Sequence, residues 1–125
     1  MFNVDVPYVP SFLAFREIEP MLETYENFKE KMIKKIPDFD VDIIFVDGNG
    51  ILHPRECGLA VHLGVALNKP TIGCAKTMFA IDGLNARVTI KEIKEKFKEE
   101  GDKLCHEMLV GKSGKIWGAA MKNTA

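Results

Sequence analysis

The sequence predicts an α/β domain, and three observations carry that prediction. Residues 41–75 read as strand, helix, strand, the order that sets two strands parallel. A stretch with helical apolar spacing precedes that unit, and a second follows it. Two apolar segments flanking Gly111-Lys112-Ser113-Gly114 then read as a β-hairpin.

Taken in order, the chain opens with weak alternation from Val4 to Val9 that runs through Pro7-Tyr8-Val9-Pro10, where two prolines hold a stiff, extended segment. Phe12-Leu13-Ala14-Phe15 is a short apolar run, expected as a strand or a buried turn. From Glu19 the period becomes helical. Met21, Leu22, Tyr25, Phe28, Met32 and Ile36 recur every three or four residues as a core stripe, with Pro20 in the first turn and Pro37 ending the helix. Val41 to Val46 reads as a buried strand that runs straight into Asp47-Gly48-Asn49-Gly50. A polar loop with His53, Pro54 and Arg55 leads to a small-residue helix from about Cys57 to Leu67, broken by Asn68-Lys69-Pro70. Thr71 to Ala75 is the second buried strand. Thr89 to Glu100 is a helix rich in lysine and glutamate that stops at Gly101. Leu104–Val110 and Lys115–Met121 form the hairpin. With no repeat, linker or low-complexity tract, residues 1–125 are expected as a single domain.

Composition narrows the function classes. Hydrophobic residues make up 46% of the 125, which excludes a disordered chain. With 17 basic and 18 acidic residues the net charge is -1, so a broad basic surface is excluded. Any nucleic-acid site has to be local, with metal ions offsetting acidic side chains. Cys57, Cys74 and Cys105 are odd in number and lack CxxC spacing, which argues against a zinc knuckle and for free thiols in a reducing compartment. The apolar stretches fall far short of the ~18 residues a membrane span needs, and no signal-peptide pattern is visible. The expectation is a soluble, intracellular protein of the cytoplasm or nucleus, nucleolus included, with no membrane partner.

Asp47 is the strongest candidate for chemistry. It ends a hydrophobic strand, where open α/β sheets place their ligands, and a carboxylate there can hold a hard cation. The alternative is a capping Asp in an ordinary strand-to-helix turn. Glu17 offers a second carboxylate, or a solvent-facing partner for a nearby cation. Lys76 ends the second strand on the same sheet edge as Asp47, suited to a phosphate or a developing negative charge; the alternative is a snorkelling surface lysine. His53 and Arg55 lie in the loop after Asp47, where either is suited to touch phosphate, whereas His62 and His106 read as structural histidines. Tyr8 presents a ring that stacks on or wedges between bases, or else a core tyrosine. In the helix over 89–100 the interleaved glutamates mark a solvated face. The residues alone lead to a carboxylate–lysine cluster suited to metal-assisted phosphate chemistry, without naming a substrate.

Five segments carry a resemblance. Pro7-Tyr8-Val9-Pro10, Phe12-Leu13-Ala14-Phe15-Arg16-Glu17, Val46-Asp47-Gly48-Asn49-Gly50, His53-Pro54-Arg55 and Gly73-Cys74-Ala75-Lys76 stand in the order and at intervals similar to the endonuclease V family. The resemblance covers nearly the whole chain and weakens after about Leu84. It implies a ribonuclease-H-like mixed sheet flanked by helices, incomplete in this chain. It also implies an endonuclease dependent on magnesium or manganese that hydrolyses the second phosphodiester on the 3′ side of inosine. By position, Glu17 and Asp47 would bind metal and Lys76 would assist catalysis. Pro7, Tyr8, Val9 and Pro10 would form the wedge; Leu13, Gly48, Asn49, Gly50 and Gly73 would line the hypoxanthine pocket. The wording is closer to eukaryotic members, which implies inosine-containing RNA ahead of deoxyinosine in DNA.

The sequence departs from the family pattern twice. The family's earlier strand with its first catalytic aspartate is not matched, since Asp5 is too close to Pro7 for that role, and neither is its later Gly-His motif. Two carboxylates under-ligand a metal. The expectation is a partial domain, truncated at both ends, with weak or no cleavage and an exposed sheet edge open to self-association. The alternatives are a non-catalytic module that binds inosine or nucleic acid, a deoxyinosine-specific DNA repair endonuclease, or a partner-binding domain.

Overall fold

The computed structural model describes residue 7 and residues 9–122. Tyr8, Asp5 and the alternating segment from Val4 lie outside the described residues, save Pro7 and Val9. The chain divides into two compact units, Met1–Lys76 and Thr77–Ala125.

In the first unit the order is α1 (Leu13–Ile33), β1 (Ile44–Val46), α2 (Leu59–Leu67) and β2 (Thr71–Gly73). β1 and β2 pair in parallel, with Ile44 opposite Thr71, Phe45 opposite Ile72 and Val46 opposite Gly73. The βαβ reading of residues 41–75 is therefore realised, with strands shorter than expected. Ala14, Val46, Leu59, Ala60 and Leu63 form the buried core, and Ile18, Met21, Leu22, Ile44 and Leu67 pack around it. α2 covers one face of the strand pair. The other face carries the register partners Phe45 and Ile72, 67% and 42% exposed, so the strands are not buried on both sides as the apolar runs suggested.

The structure corrects the reading of α1. Phe12–Phe15 is the helix entry rather than a strand or buried turn, and the helix runs through Pro20 instead of starting beside it. A proline inside a helix leaves the carbonyl four residues back without its donor and costs about 3 kcal/mol. Here Ala14, Ile18, Met21 and Leu22 line one helical face and all join the core, so packing offsets that cost. The helix also stops at Ile33, ahead of Pro37, and Phe28 and Ile36 of the expected core stripe are exposed.

The second unit contains α3 (Ala86–Glu100), a 3-10 turn (Gly101–Lys103), and the antiparallel pair β3 (His106–Val110) and β4 (Ile116–Met121). α3 starts three residues earlier than expected because the Asn85 side chain accepts hydrogen bonds from the Arg87 and Val88 amides. Ile93, Leu109 and Trp117 are buried. His106, expected as a structural histidine, is exposed on β3. Among the described residues no helix is long and apolar enough to cross a membrane.

Candidate functional site

Asp47 immediately follows β1 and Lys76 lies three residues beyond β2. Parallel pairing puts both at the carboxyl ends of neighbouring strands. The Lys76 ammonium donates to Asp47 Oδ2 at 2.7 Å, with the two side chains 83% and 70% exposed. That bond, with the charge behind it, raises the Lys76 pKa above the ordinary lysine value. An ion pair this exposed adds little to stability; its placement is what matters.

The loop after Asp47 is clamped by glycines. A Cβ at Gly73 would stand 2.5 Å from the Gly50 amide nitrogen and 2.6 Å from the Gly48 carbonyl oxygen. From the other side, a Cβ at Gly58 would stand 2.2 Å from the Asn49 carbonyl oxygen. The Gly58 amide donates to the Gly50 carbonyl at 3.0 Å and the Ala60 amide to the Asn49 carbonyl at 3.1 Å. Residues 48–50 are thus threaded between β2 and the start of α2. The sequence reading missed Gly58, although its place ahead of a small-residue helix was a signal for close packing. At Gly50 the nearest atom to an added Cβ is 4.0 Å away, so close approach requires glycine at 73 and 58 and leaves room at 50. Asn49 Oδ1 is buried and has no hydrogen-bond partner.

Glu17 is half-buried on α1, one turn on from Ala14. Ala14 shares its core cluster with Val46, the residue before Asp47. Leu13 opens the same helix. Pro7, Val9 and Pro10 are exposed, and the Phe12 amide donates to the Val9 carbonyl at 2.9 Å.

His53 and Arg55 behave differently from each other. The His53 ring is 5% exposed, so it is not presented to the surface as a phosphate contact. Burial, and then the neighbouring Arg55 charge, lower its pKa, while a hydrogen bond to the Ser11 backbone opposes them. The Arg55 amide donates to His53 Nδ1 at 3.3 Å. The Arg55 side chain is exposed; its guanidinium donates to the Ser11 carbonyl and covers the Phe12 ring. This loop therefore ties the segment before α1 to the strand that carries Asp47.

Among the described residues, no group of three His, Cys, Asp or Glu side chains converges as a metal cage. Magnesium is commonly held by one or two carboxylates and completed by water and substrate phosphate. The exposed Asp47 carboxylate fits that open arrangement and does not fit a closed protein cage. A groove of about 510 Å³ in the second unit, lined by Val88, Ile93, Lys96, Glu107 and Leu109, touches none of the predicted site residues.

The endonuclease V family model matches residues 1–125. The chain belongs to the endonuclease V family. Mouse endonuclease V is 38% identical over 123 residues, covering 98% of this chain and 34% of the mouse protein. The crystal structure of human ENDOV matches with a TM-score of 0.77 and 38% identity, over 97% of this chain and 48% of that one. A Ciona intestinalis endonuclease V, crystallised with a 24mer DNA containing an inosine followed by a ribo-adenosine, matches with a TM-score of 0.77 and 32% identity, over 97% of this chain and 49% of that one. The chain thus spans about a third of its mouse endonuclease V relative and about half of the solved endonuclease V chains. The mixed α/β architecture, with its small sheets, matches the endonuclease V structures.

Proposed function

We propose that this chain is part of an inosine-directed endonuclease that cleaves the second phosphodiester 3′ to inosine, in RNA ahead of DNA. One observation carries the reading: in an endonuclease V chain, Asp47 and Lys76 meet across the ends of two parallel strands, beside a glycine-clamped loop. Asp47 and Glu17 would hold a magnesium or manganese ion, which supplies polarisation of the phosphate and activation of water. Lys76 offers a cation to the phosphate, and the backbone of 48–50 with Gly73 and Leu13 offers a purine edge its pocket. Pro7–Pro10 fills the space left by a displaced base, a displacement that costs less where the base is mispaired or unstacked. Two carboxylates leave most of the ion's ligands to water and the substrate phosphate, and this chain by itself is expected to cleave weakly or not at all. Among the described residues each strand has one partner, and the strand edges left open suit self-association.

The test is cleavage of inosine-containing RNA and DNA by the chain, and by a complete family member, with magnesium or manganese. Asp47→Ala and Glu17→Ala are the controls. Cleavage that survives Asp47→Ala, or that ignores inosine, would sink the reading. A second reading, a non-catalytic inosine-binding module, is favoured by the loop at 48–50, whose clamp by Gly58 and Gly73 needs no metal. Inosine-dependent binding without cleavage, in the folded chain, selects it.

A further inference from the structure

Residues 9–12 form a tight turn. The Phe12 amide donates to the Val9 carbonyl at 2.9 Å, with Pro10 and Ser11 between them. Proline suits the first central position of such a turn. The second, Ser11, takes a φ of 65°, a left-handed conformation ordinarily left to glycine or asparagine. A serine keeps that conformation only where its surroundings fix it.

Those surroundings come from 44 positions along the chain. The Arg55 guanidinium donates to the Ser11 carbonyl and lies over the Phe12 ring, 3.7 Å from its centroid. His53 also bonds to the Ser11 backbone. Its Nδ1 accepts from the Arg55 amide at 3.3 Å, which leaves Nε2–H as the group that reaches Ser11. The loop that supplies both side chains is itself anchored: the Glu56 amide donates to the His53 carbonyl at 2.8 Å, and the Gly58 amide to the Gly50 carbonyl at 3.0 Å. One connection, from Asp47 to Gly58, therefore carries the clamped backbone of 48–50 and also grips the residue that follows Pro7–Pro10.

A phosphate contact presents its donors to solvent. His53 is buried, and Arg55, though exposed, is turned back onto the chain's own carbonyl and ring. Resting on the nuclease reading above, we propose that Arg55, backed by His53, is a positioning residue: it holds the Pro7–Pro10 segment in register with the 48–50 loop, so that the segment fills the gap left by the base that the loop receives. Arg55 acts on the nucleic acid through that segment and touches no phosphate.

The test is fluorescence anisotropy of labelled single-stranded RNA, with one inosine or with adenosine in its place, binding to the 125-residue chain over a range of salt concentrations. The variants are Arg55→Gln and Arg55→Lys, each shown to fold by circular dichroism. Arg55→Lys keeps the charge and loses the planar group that covers Phe12. The expected result is a preference for inosine reduced about 3- to 10-fold in both variants, with affinity for the adenosine RNA and the salt dependence unchanged. A phosphate contact behaves otherwise: Arg55→Gln would weaken both RNAs alike and reduce the salt slope by about one, and Arg55→Lys would restore them. That result overturns the proposal, as does equal weakening of both RNAs at unchanged slope, the mark of a residue that only supports the fold. Inosine preference kept in both variants leaves the nuclease reading standing while the positioning role falls. No inosine preference in the parent chain removes both.

Discussion

The Lys76 ammonium reaches Asp47 Oδ2 at 2.7 Å, joining the residue after β1 to one shortly after β2. The contact follows from the parallel register that sets Val46 beside Gly73. Because the bond raises the Lys76 pKa, its stabilising contribution is complete at neutral pH. It is lost only as pH rises through the raised value. Asp47→Asn is expected to move the Lys76 titration back towards the ordinary lysine range. Lysine side-chain NMR in alkaline buffer measures it, and an unchanged titration would mean that the pair does not form in solution.

Gly73→Ala forces a Cβ against three backbone atoms of residues 48–50, none of which moves without the others. The expected loss is about 3 kcal/mol, the upper end for overpacking a tight site. Gly50→Ala meets nothing closer than 4.0 Å and should change stability by less than about 1 kcal/mol. Urea unfolding of the two variants side by side decides it; similar losses would show that the clamp is not where the structure puts it.

His53 titrates below its ordinary value because it is buried beside Arg55. The unfolded chain then binds a proton more readily than the folded one as pH falls through the ordinary histidine range. Stability that is full above that range is lost on acidification towards the lowered folded value. His53→Gln, which cannot take the proton, should flatten this dependence between pH 7.5 and 5.5. Equal pH slopes for the variant and the parent would contradict it.

Asp82 organises the second unit. Its carboxylate accepts from the Trp117 indole at 2.9 Å, from the Ser113 amide at 3.1 Å and from the Ser113 hydroxyl, and these bonds lower its pKa. Asp82→Ala leaves the Trp117 N–H without that acceptor. Trp117 is the one tryptophan in the sequence, so its emission reports the change directly. The expected outcome is a shifted emission and an earlier unfolding transition. In the parent chain the same signal should weaken as pH falls through the lowered Asp82 value.

Legibility divided along the distance over which each feature is decided. The end of β1 at Asp47 was readable because an apolar run stops against Asp-Gly, and the parallel pairing followed from strand–helix–strand order. The start of α1 was misread because the local preference of Pro20 for a first turn lost to a core face that begins at Ala14. The start of α3 is written locally, in an asparagine at 85 whose side chain caps the helix. Burial of His53, the clamp from Gly58 and the role of Asp82 depend on contacts between distant segments. Residues 82 and 113, for example, are 31 positions apart. The chemistry-bearing pair, Asp47 with Lys76, was legible as a shared sheet edge, whereas its hydrogen bond was not.

Pro20 also has a kinetic meaning. It removes one rung from the hydrogen-bond ladder of α1, so the carbonyl of Arg16 loses its partner within the helix, next to Glu17. Met21 and Leu22 beyond the proline dock on the same core as Ala14 and Ile18 ahead of it, so amide exchange should be slow on both sides of the proline and quicken only towards Ile33. The missing rung lies one residue from Glu17, so the backbone that carries this carboxylate is held to the longer stretch of helix by shared packing on the core as well as by its remaining hydrogen bonds.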